Sequence, residues 1–204
     1  GRVAGMGRGA DVEVIVADWG SEVPLQRVIT LTPEAAPLVS FLWIPPDVAK
    51  GLQGDSDFPE VLALNAAARR SRGEFIGRID QDTLVGARFL ESFFDMAATA
   101  RGALYFSNRR GIPYRFAAGL PPLDQVSRFI DRFGSHLRVW RNNNATGHVF
   151  WTSYVGIWLA HRDLWQACGG YDERLVYYNW METDMICRLR AHHPIVDLGE
   201  LTGH

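Results

Sequence analysis

Two carboxylates one residue apart, Asp80 and Asp82, follow directly on the short apolar run Phe75-Ile76-Gly77-Arg78-Ile79. The run is too short for a helix and is flanked by turn formers, so it reads as a buried strand with the carboxylates at its C-terminal mouth. In open α/β sheets ligands bind beyond the carboxyl ends of the strands, and two hard oxygen donors there suit Mg²⁺ or Mn²⁺ carrying a phosphate. The pair also has a plainer use, since Asp82 fits as the N-cap of a helix beginning near Val85. The theme occurs earlier in the chain too. Val12 to Ala17 is a β-branched strand that runs into Asp18-Trp19-Gly20-Ser21, again a carboxylate and a turn at a strand end.

Composition limits what these groups can serve. A chain of 204 residues that is 47% hydrophobic and 12% aromatic can bury one substantial core and reads as a single α/β domain. A formal charge of -2 argues against binding nucleic acid through bulk electrostatics. No apolar run approaches the roughly 20 residues of a membrane span, which leaves at most peripheral membrane contact and an expected cytoplasmic location, either free or peripheral at the inner face of the membrane. Cys168 and Cys187 lack metal-ligand spacing and are expected to be reduced, buried thiols. Lys50 is the only lysine.

The elements that must position the acidic groups alternate between strand and helix. After a glycine-rich leader, Gly1 to Ala10, come the strands Val12 to Ala17 and Val39 to Ile44, the second closed by Pro45-Pro46. Gly51 to Asp57 reads as a polar, mobile loop. Phe58 to Ser71 reads as a helix with Pro59 near its first turn; Val61, Leu62, Leu64 and Ala68 face inward, with Asn65, Arg69 and Arg72 elsewhere. The Asp-x-Asp strand follows, then a helix from about Val85 to Thr99 and a strand from Ala103 to Ser107. This alternation predicts a three-layer sandwich around a mainly parallel sheet.

The alternation stops at Asn108 to Thr152, an Arg-, Pro- and Asn-rich stretch whose one convincing helix is Leu123 to Phe133. Such a long, poorly periodic segment is expected to be functional loop. Arg109, Arg110 and Arg115 there suit either solvent or an anionic ligand. Strand Tyr154 to Ala160 and a short helix, Arg162 to Ala167, precede the turn Gly169-Gly170-Tyr171-Asp172-Glu173. Trp180-Met181-Glu182-Thr183-Asp184 then opens a helix reaching about Ala191, and Ile195 to Leu198 is the last strand.

In that order these motifs resemble the GT-A fold of nucleotide-diphospho-sugar transferases, especially the inverting family-2-like glycosyltransferases and the galactosyltransferase C-terminal region. Val14 to Ser21 looks like the strand ending in Asp-Asp-Gly-Ser, and Asn65 to Asp82 like the helix, strand and DxD. Gly169 to Glu173 is similar to the Gly-Gly-Phe/Trp-Asp-Glu turn, and Glu182 to Leu189 to the acidic motif followed by Arg-Leu. The resemblance runs from Val12 to the C-terminus. It divides the domain into a nucleotide-sugar half, about 1–107, and an acceptor and catalytic half, about 108–204.

The resemblance implies a UDP- or GDP-sugar donor and a glycan or small hydroxyl acceptor. Asp18 would contact base or ribose, with Asp80 and Arg69 also on the donor. Asp80 and Asp82, joined by His204, would hold Mn²⁺ or Mg²⁺ on the diphosphate. Glu182 falls at the general base, Asp184 beside it at the acceptor, and Trp180 and Gly170 are expected on the acceptor side. Trp180 fits a sugar-stacking wall as well as it fits core packing. The chain also departs from the pattern. Trp19 replaces the second Asp of the first motif, Glu182 replaces the usual Asp, and the family's first strand has no counterpart upstream of Gly1.

Other chemistries explain less. A haloacid-dehalogenase-type phosphatase also places Asp-x-Asp after a strand, but it wants a downstream lysine, and none follows Lys50. A nucleotidyltransferase would need a basic glycine-rich loop, of which Gly5 to Gly9 is a faint echo. A non-catalytic sugar-binding module would not need Asp80, Asp82 and Glu182 together.

Overall fold

The computed structural model describes residues 2–97, 101–108, 110–137, 155–177, 180–198 and 202–203. In chain order the elements are α1 (Arg2–Gly5), β1 (Val14–Trp19), α2 (Leu25–Val28), β2 (Val39–Ile44), α3 (Pro46–Gln53), α4 (Glu60–Arg70), β3 (Phe75–Ile79), β4 (Leu84–Val85) and α5 (Ala87–Ala97). There follow β5 (Leu104–Asn108), α6 (Tyr114–Ala117), α7 (Leu123–Phe133), β6 (Val155–His161), α8 (Arg162–Ala167), α9 (Met181–Arg190), β7 (Ile195–Asp197) and β8 (Thr202–Gly203).

The strands are mainly parallel, as the alternation predicts. β1 and β2 pair in parallel, with Asp18 opposite Trp43. The larger sheet has the order β3-β6-β5-β7; β6 is antiparallel to both neighbours and β7 parallel to β5, so β3, β5 and β7 share one direction. Among the described residues β1 and β3 are not hydrogen-bonded to each other. Between them lies a cleft lined by Val14, Ile15, Leu64, Ala68, Ile76 and Ile79.

Strand alternation sorts side chains to the two faces and so makes three layers. On one face Ile76, Phe106, Trp158 and Ala160 pack with Val61 and Ala68 of α4, Trp165 of α8, and Met185 and Ile186 of α9. On the other, Ile157 packs with Phe89 and Leu90 of α5, and Val3 and Met6 from the N-terminal end close over them. Trp158 and Trp165 stack at 5.1 Å between ring centroids, and Trp158 Nε1–H donates to the buried Tyr171 hydroxyl at 2.9 Å. Aromatic pairs of this kind add roughly 0.5–1.5 kcal/mol beyond the area they bury.

Several local expectations are corrected. The expected loop Gly51 to Asp57 begins inside α3, because Pro46 at the first helical turn starts a helix that continues to Gln53. Its polar end is also tied down, since Ser56 Oγ–H donates to Val176 O at 2.8 Å. Asn65, placed off the buried side of α4 by periodicity, is 2% exposed. Cys187 is an exposed thiol rather than a buried one, while Cys168 is half-buried and both are free. Asp82 does not open α5; the short strand β4 separates the two.

Candidate functional site

Asp18 is the penultimate residue of β1 and is 1% exposed. Its Oδ2 accepts the Leu25 backbone N–H at 2.7 Å, whereas Oδ1 is buried with no hydrogen-bond partner. A buried carboxylate oxygen without a donor is costly and marks a place where a ligand's N–H or O–H belongs. The turn after it is rigidly seated. Gly20 has φ +74°, its N–H donates to Ile44 O, and a Cβ there would lie 3.1 Å from Ala49 Cβ of α3. Trp19, where the resemblance expects a second carboxylate, instead donates through Nε1 to Gln53 Oε1 at 3.1 Å.

Asp80 is the first residue beyond β3, and the Thr83 N–H donates to its carbonyl at 3.0 Å, which folds Asp82 into an exposed turn. The alternation that buries Ile76 sends Arg78 to the same face, between the first turns of α4 and α9. Arg78 keeps only 10% side-chain exposure and meets three carboxylates: Nη2 is 2.7 Å from Glu60 Oε1 and 2.6 Å from Asp80 Oδ1, and Nη1 is 2.7 Å from Glu182 Oε1. Burial alone would lower the guanidinium pKa, but the charges of Glu182 and Glu60 outweigh it and raise it above its ordinary value. Burial, reinforced by Glu182, also pushes the Tyr171 phenol well above its ordinary range, so that hydroxyl stays protonated.

The glycine turn is built around Asn65. Its Nδ2 donates to Tyr171 O at 2.8 Å and to Glu173 Oε1 at 3.0 Å, and the Tyr171 N–H returns to Asn65 Oδ1 at 2.9 Å. Gly170, expected at the acceptor, is buried here; it has φ +74° and a Cβ would stand 2.6 Å from Asn65 Oδ1, so it serves close approach. Arg69, expected on the donor, is paired with Glu173. That hydrogen bond from Arg69 holds the Glu173 carboxyl below its ordinary pKa.

Asp184 lies one turn before Arg188, whose Nη2 is 2.7 Å from Asp184 Oδ2 and also donates to Gly170 O at 2.9 Å. Arg188 Nη1–H reaches Cys168 O, so a single guanidinium joins Asp184 to the glycine turn. Trp180, at the N-cap of α9, is 65% exposed and holds φ +72°, a left-handed conformation that costs a non-glycine residue of order 1–3 kcal/mol. His204 and Arg109 lie outside the described residues.

The structure therefore brings Asp80 and Glu182 together and sets Asp184 and Trp180 on the same helix start as Glu182. Among the described residues no three His, Cys, Asp or Glu side chains converge as a metal cage. Mg²⁺-type sites rest on one or two carboxylates plus substrate phosphates, and Asp80 with the exposed Asp82 fits that donor set. Sequence motifs do not single out Arg78, Glu60 or Asn65, which the structure adds to the candidate site. Arg78 does leave a signal in the sequence, because a charge inside a strand that reads as buried must be paired.

No family model matches the sequence, and no curated protein sequence matches it. Among solved structures, a crystal structure of S. aureus TarS 1-349 is similar with a TM-score of 0.59 and 12% identity, covering 96% of this chain and 51% of that one. The S. aureus TarS 1-349 structure in complex with UDP gives a TM-score of 0.57 and 14% identity over 96% of this chain and 52% of the other. The chain thus spans about half the length of the solved structures it matches. At such identity the likeness shows the fold, and that fold is α/β of the GT-A type.

Proposed function

We propose that this chain is a metal-dependent, inverting glycosyltransferase that moves a sugar from a nucleotide-diphosphate donor to a hydroxyl of a glycan or small acceptor. The observation that carries the proposal is the convergence of Asp80, at the mouth of β3, and Glu182, on the first turn of α9, upon one largely enclosed guanidinium. A donor-side carboxylate and a candidate base come from distant parts of the chain to one place, beyond strand ends where this fold binds its ligand.

The donor half would use Asp18, whose unpartnered Oδ1 accepts an N–H or O–H of the base or ribose. UDP is the preferred nucleotide, because one of the similar TarS structures is a complex with UDP. Asp82 and Asp80 would hold Mn²⁺ or Mg²⁺, which when bound supplies Lewis-acid neutralisation of charge on the diphosphate. His204 is the proposed third ligand.

On the acceptor half, Glu182 removes the acceptor hydroxyl proton as that oxygen attacks the anomeric carbon. A new carbon–oxygen bond forms, the bond to the diphosphate oxygen breaks, and its electron pair leaves with the nucleoside diphosphate, inverting the centre. Trp180 offers an exposed aromatic face to the sugar C–H surface, and Asp184, braced by Arg188, binds acceptor hydroxyls. Among the described residues no helix is long and apolar enough to cross a membrane, so any membrane contact of this stretch would be peripheral.

The test is UDP release from UDP-glucose, UDP-galactose and UDP-N-acetylglucosamine with Mn²⁺ and a mixture of glycan acceptors, followed by chromatography of the glycans. UDP and an extended glycan are expected in equal amounts from at least one donor, with both falling to a small but measurable residual rate in Glu182→Gln. Binding of UDP-sugars without release from any of them would instead mark a non-catalytic sugar-binding module.

A further inference from the structure

We propose that Arg78 is a positioning residue that fixes the Glu182 carboxylate and sets its distance from the donor side. This rests on the reading of Glu182 as the base. The guanidinium is enclosed: Trp158 lies opposite Arg78 in the β3–β6 register, and only 10% of the arginine side chain is exposed. Its fork leaves between two helix starts, with Glu60 on the first turn of α4 and Glu182 on the first turn of α9.

Each arm of the fork has its own work. Nη1 takes Glu182 Oε1 at 2.7 Å, and Nη2 takes both Glu60 Oε1 and Asp80 Oδ1, at 2.7 Å and 2.6 Å. A guanidinium is planar, so seating Nη2 on Glu60 and Asp80 dictates where Nη1, and with it Glu182, must lie. Glu60 is thus the anchor that seats Nη2 and, through the planar fork, aims Nη1 at Glu182. The device suits a glutamate especially. Glu182 carries one methylene more than an aspartate would, and its extra rotatable bond must be frozen before the carboxylate can meet a hydroxyl in a defined geometry.

A lysine at this place keeps the charge beside Asp80 but is a point donor without a fork. Arg78→Lys is therefore expected to lower turnover of a UDP-sugar, read as UDP release, about tenfold or more, with UDP affinity in Mn²⁺ moving less than about threefold. Glu60→Gln, which weakens the anchor while leaving Arg78 in place, is expected to lower turnover by about threefold, and it serves if Arg78→Lys does not fold.

The deciding measurement repeats both changes in a Glu182→Gln background. If Arg78 acts through Glu182, neither change lowers turnover further there, because the group it aims is already gone. Equal losses in both backgrounds, or a fall in UDP affinity that accounts for the lost turnover, would make Arg78 a structural ion-pair partner and overturn the proposal. Wild-type turnover in Glu182→Gln alone, or a chain that binds UDP and releases none from any donor, would refute the base assignment and the role of Arg78 with it.

Discussion

Asn65 and the backbone of Tyr171 exchange two hydrogen bonds in opposite senses, Nδ2–H to the carbonyl at 2.8 Å and backbone N–H to Oδ1 at 2.9 Å. A helix side chain thereby pairs with the glycine turn much as a neighbouring strand would. Because Asn65 is 2% exposed, water cannot replace either bond. Asn65→Ala is expected to cost about 2–4 kcal/mol, the penalty for leaving buried backbone groups unpaired. Urea unfolding followed by tryptophan fluorescence measures it.

Gly170→Ala tests the same contact from the other side. The new methyl would stand 2.6 Å from Asn65 Oδ1 on a backbone with φ +74°, so steric and conformational costs add. A loss of about 2–4 kcal/mol is expected in the same unfolding assay, whereas Gly169→Ala, with nothing within 4 Å of its Cβ, carries only the backbone cost.

Asp18 gives a prediction about ligand rather than fold. Its Oδ1 is buried and unpartnered while Oδ2 serves the Leu25 N–H. Asp18→Asn is expected to weaken UDP binding about tenfold or more, because a charge-assisted acceptor is worth roughly 1.5–3 kcal/mol. Isothermal calorimetry reads the change, and an unaltered affinity would remove Asp18 from the donor site.

Two carboxyls give the protein a defined acid limb. Burial alone would raise the Glu13 pKa, but the backbone N–H groups of Arg72 and Gly73 outweigh it and hold it below its ordinary value; Glu173 is lowered first by its hydrogen bond from Arg69. A carboxyl that binds its proton less tightly when folded contributes fully above its ordinary value and loses that contribution as pH falls through the folded one. Stability is therefore expected to decline from about pH 5 downward, and less steeply in Glu13→Gln and Glu173→Gln. Thermal melts across that range check the slope.

What the sequence made legible follows from which interactions are local. Phe75–Ile79, Leu123–Phe133 and Arg162–Ala167 carry their signals within a few residues, as apolar runs or helical stripes, and their bounds in the structure are those expected. Asn65 could not be read that way. Its burial is compelled by a turn more than a hundred residues later. The helix α3 was hidden by glycines that look like loop, although Pro46 supplied its start. For the candidate site, motif order singles out Asp18, Asp80 and Glu182, whereas the guanidinium that joins the last two belongs to no motif, because Arg78 stands alone in an otherwise apolar run.

The proposed donor site rests on Asp80 and Asp82 with a divalent ion. Titrating UDP calorimetrically into the protein with Mn²⁺ and again with EDTA, for the wild type and Asp82→Ala, tests it most directly. UDP is expected to bind in Mn²⁺ and to bind at least about tenfold more weakly in EDTA, equally so in Asp82→Ala, with no further loss when the two are combined. UDP binding of the same strength in all four conditions, or none in a folded wild-type protein with Mn²⁺, would contradict it.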